Sequence, residues 1–576
     1  MTFSTLAEYF EKLEQTASRL ILIDILAELF SKVNFNEIGQ VAYLLQGRVA
    51  PFFEPLEMGM SEKLIAGSIA RAYQINREEV LKEYGKVGDL GLVAQSLSEK
   101  AKIKNKNGLM VNDVFETLRG VAKTTGDGTV EKKISTIAKL LEQVNGVTAK
   151  HLVRIPLGVS RLGVGDPTIL DAFALYKLGD KSKRKLLEGA YNRTSDLGLI
   201  GETLWSKGLA GVEKLSITIG RPIRSQLAER LPTPEKVIEK LVKVNAQRKL
   251  DGFRVQIHKD GDNIRLFSRN LEETTLMFPE IVEGAKKQIK VKTAILDAEA
   301  IGYNPTSDEF LPFQETTQRR RKYNIDEMAK KIPLKAFVFD VLYWNGKSLI
   351  DEVLTERLKV LKQLGEGEIL FPEYGEEIDD PKKLQTLLDD AISHNLEGLV
   401  VKRLDSKYEA GARNFNWVKL KRHSSGELQD TIDCVVLGYI FGRGKRADFG
   451  AGALLVGVYD KEKDEFVTVS KIGTGLTDEE FREIYKRAEK IKIAHKPARV
   501  NSQITPSVWI EPQIVIEVLA DEITRSPLHT AGKTEDGPGY ALRFPRLIKF
   551  READKKAEDA TSVSELIKMY EQQFEK

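Results

Sequence analysis

The hydrophobic period changes near residue 216, and that change constrains the fold more than any other feature. Before it, apolar residues recur at helical spacing. Leu20, Ile21, Ile23, Ile25, Leu26, Leu29 and Phe30 predict a largely buried helix; Ile134, Ile137, Leu140 and Leu141 predict another. Asn76 and Glu79 have capping-box spacing ahead of Val80 and Leu81. Turn signals at Gly126-Asp127-Gly128 and from Gly163 to Pro167 separate these pieces. Beyond residue 216, short alternating runs take over, so an all-α unit is followed by strand-rich ones.

Asp260-Gly261-Asp262-Asn263 reads as a hairpin turn between Val255–His258 and Ile264–Ser268. The run from Ala294 to Ile301 is a buried strand with Asp297 and Glu299 on one face. Phe337 to Tyr343 is an apolar strand that offers an aromatic for base stacking, although a plain core strand is the blander reading. Glu397 and Lys402 flank another short apolar strand. In Trp417-Val418-Lys419-Leu420-Lys421, Val418 and Leu420 face one way and both lysines the other. Lysines directed inward require an anion, and a nucleotide phosphate is a good candidate. After residue 424, strands are expected at Asp433–Ile440, Leu454–Tyr459, Glu465–Val469 and Trp509–Val518. A capping box at Thr477 and Glu480 opens one helix among them. Several short strands with one helix suggest a small OB-fold barrel.

With 576 residues the chain should hold two to four domains. We place them at 1–215 (helical), 216–423 (mixed α/β, of the α+β kind) and 424–576 (OB-fold β-barrel with a C-terminal helix). The net charge is +3, and residues 1–215 carry 29 Lys and Arg against 26 Asp and Glu. Nucleic-acid binding therefore has to come from local patches. There is one cysteine, Cys434, which excludes a disulfide framework and a Cys-rich zinc site and suits a reducing compartment. The run Leu20–Phe30 contains Asp24 and Glu28 and is too short to span a membrane, so a soluble, cytoplasmic protein with no membrane partner is expected.

The chemistry centres on Lys249-Leu250-Asp251-Gly252-Phe253-Arg254. A lysine is a nucleophile only after losing its proton, which burial or neighbouring cations promote. Arg248 and Arg254 are the cations nearest in sequence. The bland alternative is a hairpin turn with a solvated lysine. Three other stretches could bind phosphate: Arg154 to Gly163, the cluster Lys181, Lys183, Arg184 and Lys185, and the loop Gly442-Arg443-Gly444-Lys445-Arg446. For the cluster, a solvated helix face is the commoner case.

Taken in order, Lys249/Asp251/Gly252/Arg254, Glu299, Phe339/Asp340, Glu397/Gly398/Lys402 and Lys419/Lys421 form a set far more specific than any member. In this set the chain resembles the ATP-dependent DNA ligases of the archaeal and eukaryotic type, within the covalent nucleotidyltransferase superfamily. The resemblance extends over the whole chain, including the stretch Leu311 to Ile325 and the C-terminal Ala541-Leu542-Arg543-Phe544-Pro545-Arg546. It implies an all-α DNA-binding domain, a nucleotidyltransferase domain of ATP-grasp-like antiparallel sheets, and an OB-fold domain that closes over ATP.

The resemblance further implies that Lys249 attacks the α-phosphate of ATP and becomes lysyl-AMP. Arg254 and Arg269 would hold the ribose and phosphate region, and Phe339 would stack on adenine. Glu299 would contact the ribose or a metal, and Glu397 would help bind Mg2+. Arg413, Lys419 and Lys421 would steady the phosphates. Gln247 stands where these ligases usually have a glutamate at the purine's amino edge, which leaves nucleotide selectivity open. The partner implied is nicked double-stranded DNA, bound near the nucleoid by a monomer. A sliding clamp is a further candidate partner, for which no clamp-binding peptide is legible.

Two departures stand out. The third motif reads Asp297-Ala298-Glu299, with alanine in place of the commoner glycine, and the last motif, Arg551-Glu552-Ala553-Asp554-Lys555, has one extra residue. RNA ligation or capping shares the lysine motif, but a helical region of this length argues against both. The single cysteine argues against an NAD-dependent ligase. A non-catalytic DNA-binding scaffold would be expected to lose Lys249 or the carboxylates, and all are present.

Overall fold

The computed structural model describes residues 1–103, 108–303, 310–311, 316–321, 323–393, 396–421, 430–441, 450–473, 476–526, 528–535 and 537–573. The basic loop 442–446 lies outside these residues.

From Phe3–Glu14 (α1) to Leu197–Glu213, the described residues of the first region form twelve α-helices around one apolar core. α1 buries Phe3, Leu6, Tyr9, Phe10 and Leu13, the stripe expected of three-to-four spacing. The next helix, Arg19–Ser31 (α2), is less buried than its composition predicts. Leu22, Ile23, Leu26, Leu29 and Phe30 face the core, whereas Leu20 is 58% and Ile21 50% exposed. A helix has one core-facing stripe, and these two fall outside it. Asn76 caps helix Arg77–Val87 through the Glu78 N–H rather than through a reciprocal Glu79 box.

The described residues of the middle region form eleven strands: β1 (Leu227–Arg230), β2 (Val244–Lys249), β3 (Phe253–Asp260), β4 (Asn263–Ser268), β5 (Thr293–Gly302), β6 (Leu334–Trp344), β7 (Lys347–Ser348), β8 (Leu370–Pro372), β9 (Glu376–Ile378), β10 (Gly398–Arg403) and β11 (Arg413–Lys421). They form two sheets, one in the order β1-β11-β10-β2-β9 and the other β4-β3-β5-β6-β7, with β8 beside β6. Both are antiparallel except at β1/β11 and β6/β8. The chain crosses from one sheet to the other between β2 and β3, at Leu250-Asp251-Gly252. Gly252 is required there, because a Cβ would lie 2.2 Å from the carbonyl oxygen of Ala300.

The first sheet packs its outer face, including Ala246, Leu399, Val418 and Leu420, against helices Pro234–Leu241 and Pro381–Ser393. Its inner face looks toward the second sheet. The described residues of the C-terminal region form a curled eight-stranded sheet built on Ile432–Phe441, Ala451–Asp460 and Glu465–Ile472, with a two-stranded sheet of Glu522–Ser526 and Gly539–Arg543, in keeping with the expected OB-type layout. Helix Asp478–Glu489 opens with the Thr477/Glu480 capping box. The segment from Trp509 to Val518 is two strands, Val508–Ile510 and Val515–Leu519, rather than one. The helix Val563–Gln572 follows, opened by a Ser562/Glu565 capping box.

Candidate active site

The inner face of the first sheet presents its side chains in rows. Lys249, Gly398 and Lys421 are cross-strand partners on β2, β10 and β11; Gln247, Val400 and Lys419 form the next row, and Asn245, Lys402 and Trp417 the third. The alternation that sends Val418 and Leu420 outward aims Lys419 and Lys421 inward. Between Lys249 and Lys421 stands a glycine, so no side chain separates them. Glu397 fills that gap: its carboxylate contacts the Lys249 ammonium and lies 3.7 Å from that of Lys421.

Lys249 is 23% exposed, so a substrate can reach it. Burial brings its pKa down to about 7, and Lys421 adds to the fall; Glu299 and Asp251 oppose it, and Arg551 of the C-terminal region lowers it further. The cations adjacent in sequence have other partners. Arg248 turns to the other face and pairs with Glu373 at 2.7 Å. Arg254 is held by Asp297 at 2.5 Å, with Gln226 O and the Tyr408 hydroxyl. The expectation that Arg248 and Arg254 depress the lysine is therefore corrected. Sequence neighbours in a strand face opposite sides, and it is the cross-strand row that brings cations together.

Lys249, Gln247, Arg254, Arg269, Glu299, Phe339, Glu397, Arg413, Lys419 and Lys421 all line one cavity of about 210 Å3. Burial raises Glu299 to about 7, with Asp251 and Asp554 adding to the rise and Lys249 and Arg254 opposing it. Glu299 and Glu397 are the carboxylate oxygen donors nearest Lys249 in this lining, and carboxylate oxygens suit a hard divalent cation. Gln247 donates through Nε2 to the carbonyl oxygens of Glu373 (2.7 Å) and Phe339 (3.2 Å). Its Oε1 is buried and has no hydrogen-bond partner among the described residues.

The C-terminal region closes the cavity. Arg551 binds Asp554 and Glu517, Lys555 contacts Asp433, and Lys549 reaches Asp251 at 3.4 Å. The extra residue in the last motif thus leaves both Asp554 and Lys555 lining the cavity. Glu565 of the last helix contacts Arg413 and lies 3.4 Å from Lys419; Asp559 is 3.8 Å from Arg269. Burial pushes Glu565 upward, but Arg413 and Lys419 outweigh it and hold the carboxyl at about 2. Sequence reading missed Glu565 and Asp559. Their only signal was the acid-bearing capping box, which is common at helix starts.

The other phosphate candidates lie elsewhere. Arg154 is 2% exposed and locked between Glu14 and Asp89, so it cannot meet a phosphate. This corrects part of the expectation for the stretch 154–163. Gly158 to Gly163 line a larger adjoining chamber of about 1060 Å3 between the three regions, which shares Arg269, Arg413, Lys555 and Asp559 with the first cavity. Lys181, Lys183 and Lys185 are exposed, while Arg184 faces Asp171 and Glu188.

Residues 225–421 match the family description "ATP dependent DNA ligase domain", residues 2–174 "DNA ligase N terminus", and residues 447–555 "ATP dependent DNA ligase C terminal region". The chain is 48% identical to a "Probable DNA ligase" of Dictyoglomus turgidum, over 99% of this chain and 97% of that one. The chain belongs to the ATP-dependent DNA ligases. It is also 41% identical to "DNA ligase 2" of Thermofilum pendens, over 100% of this chain and 98% of that one. Among solved structures, "mycobacterial DNA ligase D complexed with ATP and MES" aligns over 59% of this chain and 97% of its own, at 22% identity and a TM-score of 0.35. This ligase uses ATP, and among its described residues no helix is long and apolar enough to cross a membrane.

Proposed function

We propose that this ligase seals nicks in duplex DNA and that Lys249 carries the AMP. The observation that carries this reading is a reachable lysine, brought near neutrality, in a cavity with Arg413, Lys419 and Lys421 on its walls. At neutral pH a sizeable fraction of Lys249 is the free amine. Nζ attacks the α-phosphorus of ATP, the N–P bond forms, the bond to pyrophosphate breaks, and Nζ loses a proton. The 5′-phosphate of the nick then attacks the AMP phosphorus and breaks the N–P bond. Finally the 3′-hydroxyl oxygen attacks the 5′-phosphate and AMP leaves.

The residues divide the work by chemistry. Arg254 and Arg269 hold the ribose and phosphate region; Arg413, Lys419 and Lys421 stabilise phosphate charge. Phe339 stacks on the base, and the unpartnered Gln247 Oε1 accepts from the adenine 6-amino group. Glu299 and Glu397 would hold Mg2+, which when bound offsets phosphate charge. In this reading residues 1–215 bind duplex backbone, 216–423 carry adenylation, and 424–576 close over the nucleotide. The site of action is the cytoplasm, at nicks in chromosomal DNA.

The test is labelling with α-32P-ATP, Mg2+ and a denaturing gel. Acid-labile label on the wild type but not on Lys249→Ala is expected. Equal labelling of both proteins would remove Lys249 from its role, and label from GTP alone would favour capping chemistry.

A further inference from the structure

Phe339 stands at a bulge. Across β5 and β6, Asp297 pairs with Asp340 and Ala298 with Val338, so Phe339 is the extra residue and falls outside the ladder. Bulges re-aim a residue and loosen the local pairing, so something else has to fix what they release. Here the fixing group comes from the opposite sheet. Lys402 on β10 donates from Nζ to the Phe339 carbonyl at 2.9 Å, the same oxygen that receives Gln247 Nε2. The Lys402 ammonium also lies 4.7 Å from the centre of the Phe339 ring and 4.2 Å from that of Trp417.

Lys402 is 1% exposed, and its position is itself determined from behind. Asp340, fully buried, lies 3.9 Å from Nζ. Arg357, equally buried, grips Asp340 at 2.7 and 3.2 Å and donates to Glu352 O and Ser406 O. A buried polar relay thus runs from Arg357 through Asp340 and Lys402 to one of the two carbonyls that orient Gln247. An amide has two orientations. With Nε2 on two main-chain carbonyls, flipping it would set Oε1 against both oxygens. The fixed orientation leaves Oε1, an acceptor, as the unpartnered end of a side chain that lines the cavity, and an acceptor matches a 6-amino purine and repels a 6-oxo purine.

We propose that Lys402 is a positioning residue for nucleobase choice: it pins the Phe339 bulge across the two sheets and so holds Gln247 in the orientation that favours adenine over guanine. This rests on the reading that ATP is bound in this cavity. Without Lys402, the bulge relaxes, the Phe339 ring shifts, and Gln247 keeps only one of its two fixed carbonyls, that of Glu373.

The test compares wild type, Lys402→Met and Lys402→Arg in single-turnover labelling with ATP and with GTP, and in sealing a nick that already carries a 5′-adenylate. For Lys402→Met, the half-saturating ATP should rise about tenfold and the preference for ATP over GTP should fall about tenfold. Sealing of the adenylated nick at saturating enzyme, where affinity for the base does not limit the rate, should stay within about twofold. Lys402→Arg, which keeps a donor and a charge, should restore the preference to within about threefold. If Lys402→Met does not fold, Lys402→Gln carries the same readings, its amide being one bond too short to reach the carbonyl.

Unchanged ATP saturation and unchanged preference in a folded variant would overturn the proposal. So would a loss equal in all three assays, which would mark Lys402 as structural only. Failure of the wild type to label with ATP would instead remove the underlying reading of the cavity.

Discussion

Gly398 stands directly opposite Lys249 in the antiparallel β2/β10 pair, and it has no room for a side chain. A Cβ there would lie 2.2 Å from the Leu420 carbonyl oxygen, and its φ of +137° is one that other residues rarely adopt. The absence of that Cβ lets the β11 backbone at Leu420 and Lys421 approach Gly398, which keeps Lys421 beside Glu397 and Lys249. Gly398→Ala should therefore cost about 2 kcal/mol of stability and slow adenylation roughly 100-fold by displacing Glu397 and the Lys249 row. Thermal unfolding and single-turnover labelling measure the two effects. Adenylation at the wild-type rate would contradict the packing argument.

Adenylation should follow the ionisation of Lys249. The amine must be unprotonated to attack, and burial with Lys421 brings its pKa to about 7. The single-turnover rate should rise with pH through about 7 and then level. In Lys421→Ala, one depressing cation is gone, so the rise should move to higher pH. A quench-flow profile from pH 5.5 to 9 checks both, and a profile that still climbs steeply at pH 9 in the wild type would sink the assignment.

Glu565 occupies Arg413 and Lys419, two cations that the proposed chemistry assigns to phosphate. A phosphate entering the cavity has to displace that carboxylate. Glu565→Gln removes the competing charge and should tighten nicked-duplex binding roughly three- to tenfold at low salt, with a smaller gain at high salt. Fluorescence anisotropy at two ionic strengths gives the answer; equal affinity for both proteins would show that the helix does not compete.

His258 ties the segment entering the middle region to its sheet. It accepts from the Gly220 N–H at Nδ1 (3.0 Å) and hydrogen-bonds Gln256 Oε1 at 2.8 Å through Nε2. Burial, aided by Arg265, lowers its pKa to about 3. A histidine kept neutral in the fold takes up its proton on unfolding, so stability falls as pH drops from about 6.5 toward 3. Between pH 7.5 and 5.0 the His258 contribution should be a loss of about 2 kcal/mol, absent from His258→Gln. Urea midpoints at the two pH values test this, and parallel shifts in both proteins would refute it.

Much of the site was legible before any fold was known. Period-two alternation correctly turned Lys419 and Lys421 to one face and Val418 and Leu420 to the other, and placed Asp297 and Glu299 together. Where local reading failed, long-range contacts were the reason. Arg154 looked like a phosphate ligand beside glycines, yet Glu14 and Asp89, distant in sequence, had already claimed it. Arg248 and Arg254 looked like the cations that tune Lys249, yet Glu373 and Asp297 hold them.

The sequence by itself determined the order of units, the nucleophile motif, the face of each strand and the family resemblance, because these depend on residue type and short spacing. Only the tertiary structure decided which charges meet. Strand register set Lys421 beside Lys249 across a glycine, a bulge brought the Phe339 carbonyl to Lys402 and Gln247, and closure of the C-terminal region laid Glu565 on Arg413. Electrostatic interactions act through space and depend on burial, and neither quantity is written in the linear order of the chain.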